Sequence, residues 1–505
     1  MHEAINRILP QVHRPLSKGK KMQTPTTMPH PIANEDLSPR ALAMQALADD
    51  VFAQLTAAGI PYCILRNRDA IPHGLLGWLD IDVLVPGEMT INRLASVFAT
   101  LKPAQIGRLR RGQVSFFFPA HDVYLRVDIF YGNIKWKSAN FVDHKQILAN
   151  RWNDRGYMVA TPLHQAYIVW FSKLLSEGSL PARYETMIFE AVQHDPGAFH
   201  DLIESAFGNE LAVQLVDLAM TRRLAESRHL VSACRRALWL NELRRHPLKA
   251  PSAFANQILH GLAVRLVPSG LDVAFLGPDG AGKTTISTQI AQSPLRRVAF
   301  KKVHTRLGYR QTLPPLRTIA SIILRRPVLP DSTHLDPHGA PPHRLPMWLL
   351  KFGYYSIDQW LEQIWLRREM AHSSLILKDR HLMELPIDPM RYRFSGPTVL
   401  TRWMARLVPK PTLVIVLDAP TEVLQARKQE VSLEETARQR RAYRHLVKSV
   451  PHGYLVNSDQ PLDAVIHDVL EIINAFATMR TKKRFYRHGG DTRRSLTTRF
   501  PRLFR

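Results

Sequence analysis

The sequence predicts an α/β protein. Its carboxy-terminal half reads as a parallel sheet flanked by helices, preceded by an α+β unit with a helical extension. Three observations carry this. Leu271 to Leu276 is a short apolar run that leads into Gly277-Pro278-Asp279-Gly280-Ala281-Gly282-Lys283-Thr284-Thr285, which completes the spacing G-x-x-x-x-G-K-[ST]. After it, near-continuous apolar runs alternate with helical stretches, the pattern of parallel strands buried on both faces. Asp80 and Asp82 stand two apart in an earlier apolar run, so a strand places both on one face, with Asp128 in a later run.

With 505 residues the chain is long enough for two to four domains, and its 45% hydrophobic content allows real cores. Two cysteines, Cys63 and Cys234, exclude a disulfide framework and point to a reducing, cytoplasmic setting. No apolar stretch follows the first charges, so no secretory leader is expected. The most span-like stretch, Pro346 to Trp365, carries Lys351, Asp358 and Glu362 and reads as an amphipathic helix. Net charge is +25, which suits nucleic acid, anionic lipid or phosphorylated substrates. Ten Lys/Arg against one aspartate fall between Arg480 and Arg505. That basic tail reads as a solvated, disordered end or as a contact with an anionic membrane or nucleic acid. Phe500, Leu503 and Phe504 tilt the contact reading toward lipid.

Residues 1–38, rich in Pro, Thr, His and Lys, read as a disordered leader. Ala41 to Ala58 has helical spacing and stops at Gly59. Strands are expected at Tyr62 to Leu65, Leu79 to Val85, Gln113 to Pro119 and Val123 to Phe130, with a helix at Ile91 to Leu101. If the strand carrying Asp128 neighbours the one carrying Asp80 and Asp82, three carboxylates converge and can hold Mg²⁺ against phosphates. This order of elements, with Asp80-x-Asp82 and Val127-Asp128-Ile129, resembles the DNA polymerase beta-type nucleotidyltransferases. Members of that family usually carry a Gly-Ser pair where this chain has Arg66-Asn67. A first unit of residues 39–160 is expected, then a helical extension over 161–246 and a linker over 247–270 with a short apolar helix.

The glycine-rich loop lets successive backbone N–H groups turn toward phosphate oxygens, and the helix that follows points its positive end the same way. Lys283 can reach the β- and γ-phosphates, and Thr284 can hold Mg²⁺. Later strands are expected at Arg297 to His304, Ser374 to Lys378, Thr412 to Asp418 and Tyr454 to Asn457. Asp379 ends one of them as a candidate Mg²⁺ partner, and Asp418 reads as the N-cap of the helix from Thr421. Between Gln311 and Pro346 the chain is Pro- and His-rich and reads as a mobile loop. The helix Leu433 to Lys448 carries several arginines. With Arg427 upstream it can form a lid, Arg427 and Arg438 being the catalytic candidates.

These residues resemble the thymidylate kinase-like branch of the P-loop kinases. The loop, Asp379-Arg380 and Leu417-Asp-Ala-Pro-Thr-Glu-Val-Leu-Gln-Ala-Arg427 carry the likeness, over about Leu271 to residue 479. It implies a five-stranded parallel sheet, ATP with Mg²⁺ as donor, and Lys283, Asp379 and Arg380 at the reaction. The chain departs from it at His304-Thr-Arg306-Leu-Gly-Tyr-Arg310 and at Ile387 to Pro397, which looks like kinase-like proteins found with surface polysaccharide genes. Arg306, Arg310, Arg391 and Arg393 are then candidate contacts to a phosphorylated acceptor. Two other readings stay open: a nucleic-acid end-processing kinase fused to a nucleotidyltransferase, and an ATP-binding assembly factor at a membrane surface.

Overall fold

A computed structural model describes residues 39–66, 71, 80–110, 112–120, 123–247, 249–292, 303–306, 342, 344–394 and 396–485. In the amino-terminal part, α1 (Pro39–Ala57) leads to β1 (Cys63–Arg66), β2 (Ile81–Val85), α2 (Ile91–Val97), β3 (Gln105–Arg110), β4 (Gln113–Ala120) and β5 (Val123–Tyr131). A small hairpin follows, β6 (Ile134–Trp136) with β7 (Ala139–Val142), then α3 (His144–Ala149), β8 (Trp152–Asp154) and β9 (Tyr157–Val159). Seven strands join in the order β3-β4-β5-β2-β1-β9-β8. Side chains alternate across this sheet as a period of two demands. Ile64, Val83 and Val85 enter a core under α1, while Cys63, Leu65 and Leu84 enter a second core on the other face.

That second core is roofed by α4 (Pro162–Glu177), α5 (Glu185–His194), α6 (Pro196–Phe207), α7 (Asn209–Met220) and α8 (Val231–Arg245). Thr161 caps α4 by accepting from the His164 N–H, and Pro162 opens it, where a missing N–H costs nothing. Residues 247–270, expected as a linker with a short helix, instead hold the 18-residue α9 (Lys249–Leu266).

The carboxy-terminal half begins with β10 (Leu271–Leu276), α10 (Lys283–Gln292) and β11 (Val303–Arg306). It continues through α11 (Leu345–Ala371), β12 (Leu375–Asp379), α12 (Thr398–Leu407), β13 (Leu413–Asp418), α13 (Thr421–Arg427), α14 (Leu433–Ser449), β14 (Gly453–Asn457) and α15 (Leu462–Phe485). Five parallel strands lie in the order β11-β12-β10-β13-β14, so β10 sits where the chain reverses its direction of winding. A crevice opens at the carboxyl ends of the strands at such a point, and the glycine loop leaves β10 there. Every residue of β10 and β13 is buried, which is why both read as mainly apolar runs; the buried Asp272 within β10 is paired with Lys378 of β12 at 2.9 Å. Full burial of a side chain such as Val273 or Val416 contributes about 1.5–3 kcal/mol.

The two halves share a core. On β4, Phe116 and Phe118 face α1, and Phe117 between them faces the carboxy-terminal sheet with Ala104 and Tyr124. The last helix crosses the same boundary, its Thr481 hydroxyl donating to the Ala104 carbonyl at 3.0 Å. Helix α15 runs to Phe485, so the expected tail from Arg480 is ordered helix for its first six residues. Residues 1–38 and 486–505 lie outside the described residues, as do most of the Pro/His-rich stretch and Arg310. Among the described residues no helix is long and apolar enough to cross a membrane.

Candidate functional site

The loop after β10 curls tightly against its neighbours. Gly277 has φ +140°, and a Cβ there would stand 2.3 Å from the Leu417 carbonyl oxygen, so only glycine fits. The far side of the loop rests on α13, where a Cβ on Gly280 would meet the Leu424 carbonyl at 2.7 Å. Lys283 is buried, its amine donating to the carbonyls of Gly277 and Pro278, each at 2.7 Å. Burial, and then the nearby Arg380, bring that amine down to about 7. Thr284 and Thr285 are exposed at the head of α10.

The Thr284 hydroxyl donates to Asp379 at 2.6 Å. Asp379 ends β12 and pairs in register with Phe275 of β10 and with Arg306 of β11. A hydroxyl and a carboxylate oxygen meeting beside the loop lysine form a donor set that suits Mg²⁺. The loop also carries Asp279, which binds Arg380 and Arg391, each at 2.6 Å. Burial works against the Asp279 charge, but Lys283, Arg380 and Arg391 outweigh it and hold the carboxyl well below its usual range. Arg380 sits at φ +81°, a strained conformation for a side-chain-bearing residue, and its backbone N–H donates to Phe275 O. Behind it, the fully buried Glu384 accepts from the hydroxyls of Tyr392 and Tyr443. His381 is neutral here: burial, with Lys378 nearby, lowers it to about 3. Its Nδ1 accepts from the Met383 N–H, which leaves Nε2–H to donate to the Pro409 carbonyl.

The expected arginines take different places. Arg391 joins Asp279, Glu430 and Asp388. Arg427 donates to the Ser458 carbonyl, and Arg438 binds Glu435 and the Ile387 carbonyl. Arg393 closes a short turn at φ +56°. Arg306 belongs to β11, whose side chains lie outside the described positions. Asp418 is not a helix cap. Pro420 holds that position with no side-chain bond, while Arg440 and Arg444 from α14 clamp the Asp418 carboxylate. This clamp and the Asp279 pairs join residues far apart in sequence, so no local spacing announced them. The run of arginines on α14 was the one signal.

In the first sheet, Asp82 and Asp128 are register partners on the parallel pair β2 and β5, and Asp80 stands just before β2. Oxygens of all three lie within 4.8 Å of one another. Two guanidiniums fill the group: Arg126 takes both Asp128 oxygens, at 2.7 and 2.9 Å, and Arg66 binds Asp82. Burial, partly offset by Arg66, raises Asp82 to about 7. The expected triad thus converges as a group of oxygens that could hold a metal ion, and Arg66 and Arg126 balance its charge. Arg126 lies two residues before Asp128 on the same strand face, a pattern visible in the sequence.

No protein-family model matches the sequence, and no curated protein matches it. Among solved structures, the thymidylate kinase of Candida albicans is similar at 14% identity, covering 41% of this chain and 93% of its own, with a TM-score of 0.31. That of Ehrlichia chaffeensis is similar at 17% identity, covering 41% and 100%, with a TM-score of 0.27. At such identities and scores the likeness fixes neither activity nor substrate, which rest on the residues themselves.

Proposed function

We propose that the carboxy-terminal half is an ATP-dependent kinase that transfers a phosphoryl group to a nucleotide or another phosphorylated acceptor. The meeting of Thr284 and Asp379 beside Lys283, at the mouth of a glycine-rich loop on the reversal strand, carries this reading. Loop amides and the head of α10 would cradle the phosphates. Lys283 exchanges two loop carbonyls for phosphate oxygens. Thr284 and Asp379 would hold Mg²⁺, and the ion would supply positive charge against the negative charge developing on the phosphates. Arg380 and Arg391, pinned by Asp279, present fixed positive charge to an anionic acceptor without reorganising. Arg427 and Arg438 are proposed as lid groups; Arg438 can leave Glu435 on closure.

The reading is tested by ADP release with Mg²⁺ against a panel of nucleotides and sugar phosphates. One acceptor should raise release well above hydrolysis by water, and Asp379→Asn should abolish the gain. A protein that binds ATP yet responds to no acceptor defeats the kinase reading and leaves an ATP-binding assembly factor.

Lys283 gives a pH dependence. Below pH 7 its amine is charged before nucleotide arrives; above pH 7 it is neutral, and a bound triphosphate draws a proton onto it. ATP affinity should therefore fall as pH rises above 7, by up to about tenfold per unit. Calorimetry at pH 8 in two buffers of unequal ionisation enthalpy should show proton uptake on binding. Equal heats in both would mean that Lys283 is already charged.

A further inference from the structure

At the end of the carboxy-terminal sheet opposite the glycine loop lies a second site, independent of the kinase reading. A cavity of about 520 Å³ opens beside the start of β10. Five basic residues line it: Arg367, Lys410, Arg480, Lys483 and Arg484. No carboxylate is among the described residues that line it. Three of the five are built into the backbone around it. Arg367 donates to the Leu266 carbonyl at 3.1 Å, Arg480 to Gly270 at 2.9 Å, and Arg484 to Val267 at 3.1 Å. Burial and the neighbouring Arg484 bring Arg480 down to about 10, so it remains charged at neutral pH in a group of like charges. Such a cavity calls for a polyanion.

The rim narrows the choice. Leu266 and Val267, which line the cavity, are 69% and 58% exposed. Trp360, Gln363, Ile364 and Arg367 follow helical spacing on one face of α11, and Ile364 is 68% exposed. The Trp360 indole donates to the Leu407 carbonyl, joining this face to α12, where Trp403 and Leu407 are also exposed. Large apolar side chains, tryptophan among them, thus surround a cluster of cations. A soluble anion has no use for that apolar rim, and nucleic acid offers it no counterpart, whereas a bilayer interface matches both parts.

We infer that this end of the molecule docks on an anionic phospholipid surface, the cavity receiving phosphate headgroups while the rim enters the interface. Six residues of β10 separate it from the glycine loop, about 17–20 Å, so the phosphate-transfer mouth faces away from the bilayer.

Flotation of the full-length protein with phosphatidylglycerol-containing vesicles and with pure phosphatidylcholine vesicles, in about 0.15 M salt, tests this. Binding is expected to the anionic vesicles alone. Lys410→Glu with Lys483→Glu, both exposed positions, should lower it on the order of 100-fold although the basic tail is intact. Leu266→Ser with Ile364→Ser should lower it about tenfold without changing charge. Lys410→Gln with Lys483→Gln gives a milder version of the charge test, and the unfolding midpoint of each variant is compared with wild type. The inference falls if wild type does not float, if it floats equally on neutral vesicles, or if the charge-reversed protein floats like wild type. It also falls if the serine variant is unchanged, or if duplex DNA is bound as tightly as the vesicles and by the same residues.

Discussion

Gly277→Ala is expected to unfold the carboxy-terminal half more readily than any other single-methyl change to the loop. Two costs combine. The residue would sit at φ +140°, which L side chains avoid, and its Cβ would lie 2.3 Å from the Leu417 carbonyl oxygen. That oxygen belongs to β13, itself fully buried, and cannot retreat without disturbing the pairing of β13 with β10. Strain of this kind costs about 1–3 kcal/mol, and the clash brings the total to roughly 3–5 kcal/mol. The unfolding midpoint should drop by about 10 °C. Gly282→Ala is the matched control. Its φ is also positive, +85°, but the nearest atom to its Cβ is the Ile286 methyl at 3.7 Å. It should lose only about 1–2 kcal/mol. Calorimetric scans of both variants decide the matter, and equal losses would show that strain alone, not the approach to β13, governs the loop.

Lys283→Ala should have the converse profile, a large loss of phosphoryl transfer with little loss of fold. In the protein the amine is buried, drawn down to about 7, and satisfied by two carbonyls of its own loop. Removing it deletes two hydrogen bonds and also a charge that burial disfavours, and these terms oppose each other. In transfer, no other amine on the loop can reach the phosphates. Loss of one preorganised donor at developing charge costs about 10²–10³-fold in rate. Lys283→Met keeps the side-chain length and should lose as much, which separates charge from packing. Rates within a factor of a few of wild type in both variants would end the proposed role of Lys283.

The carboxy-terminal sheet was legible because strands buried on both faces are mostly apolar, as Leu271–Leu276 and Leu413–Asp418 are; the one charge inside β10, Asp272, is buried only because Lys378 of β12 pairs with it at 2.9 Å. The loop was legible because its geometry admits few residue types. Short strands such as Trp152–Asp154 and Tyr157–Val159 were not, since three residues carry too little periodicity to stand out. At the sites, residue types could be read but their partners could not. Asp279 meets Arg380 and Arg391 across about a hundred positions, and Asp418 meets Arg440 and Arg444 only once α14 folds back over β13. Arg66 and Arg126 likewise change what the acidic triad offers, turning bare carboxylates into a compensated network.

The final helix has a bearing on how the chain matures. Thr481 bonds to Ala104, and Phe485 packs against the core beneath α1, so residues near position 480 complete a unit begun near position 40. During synthesis that unit must wait for nearly five hundred residues to leave the ribosome before its last contact forms. Neither half is then a module to be moved alone: a chain stopped before α15 would take Val465, Val469, Ile472, Ile473 and Phe476 out of the core that Phe117 and Tyr124 share with the carboxy-terminal sheet.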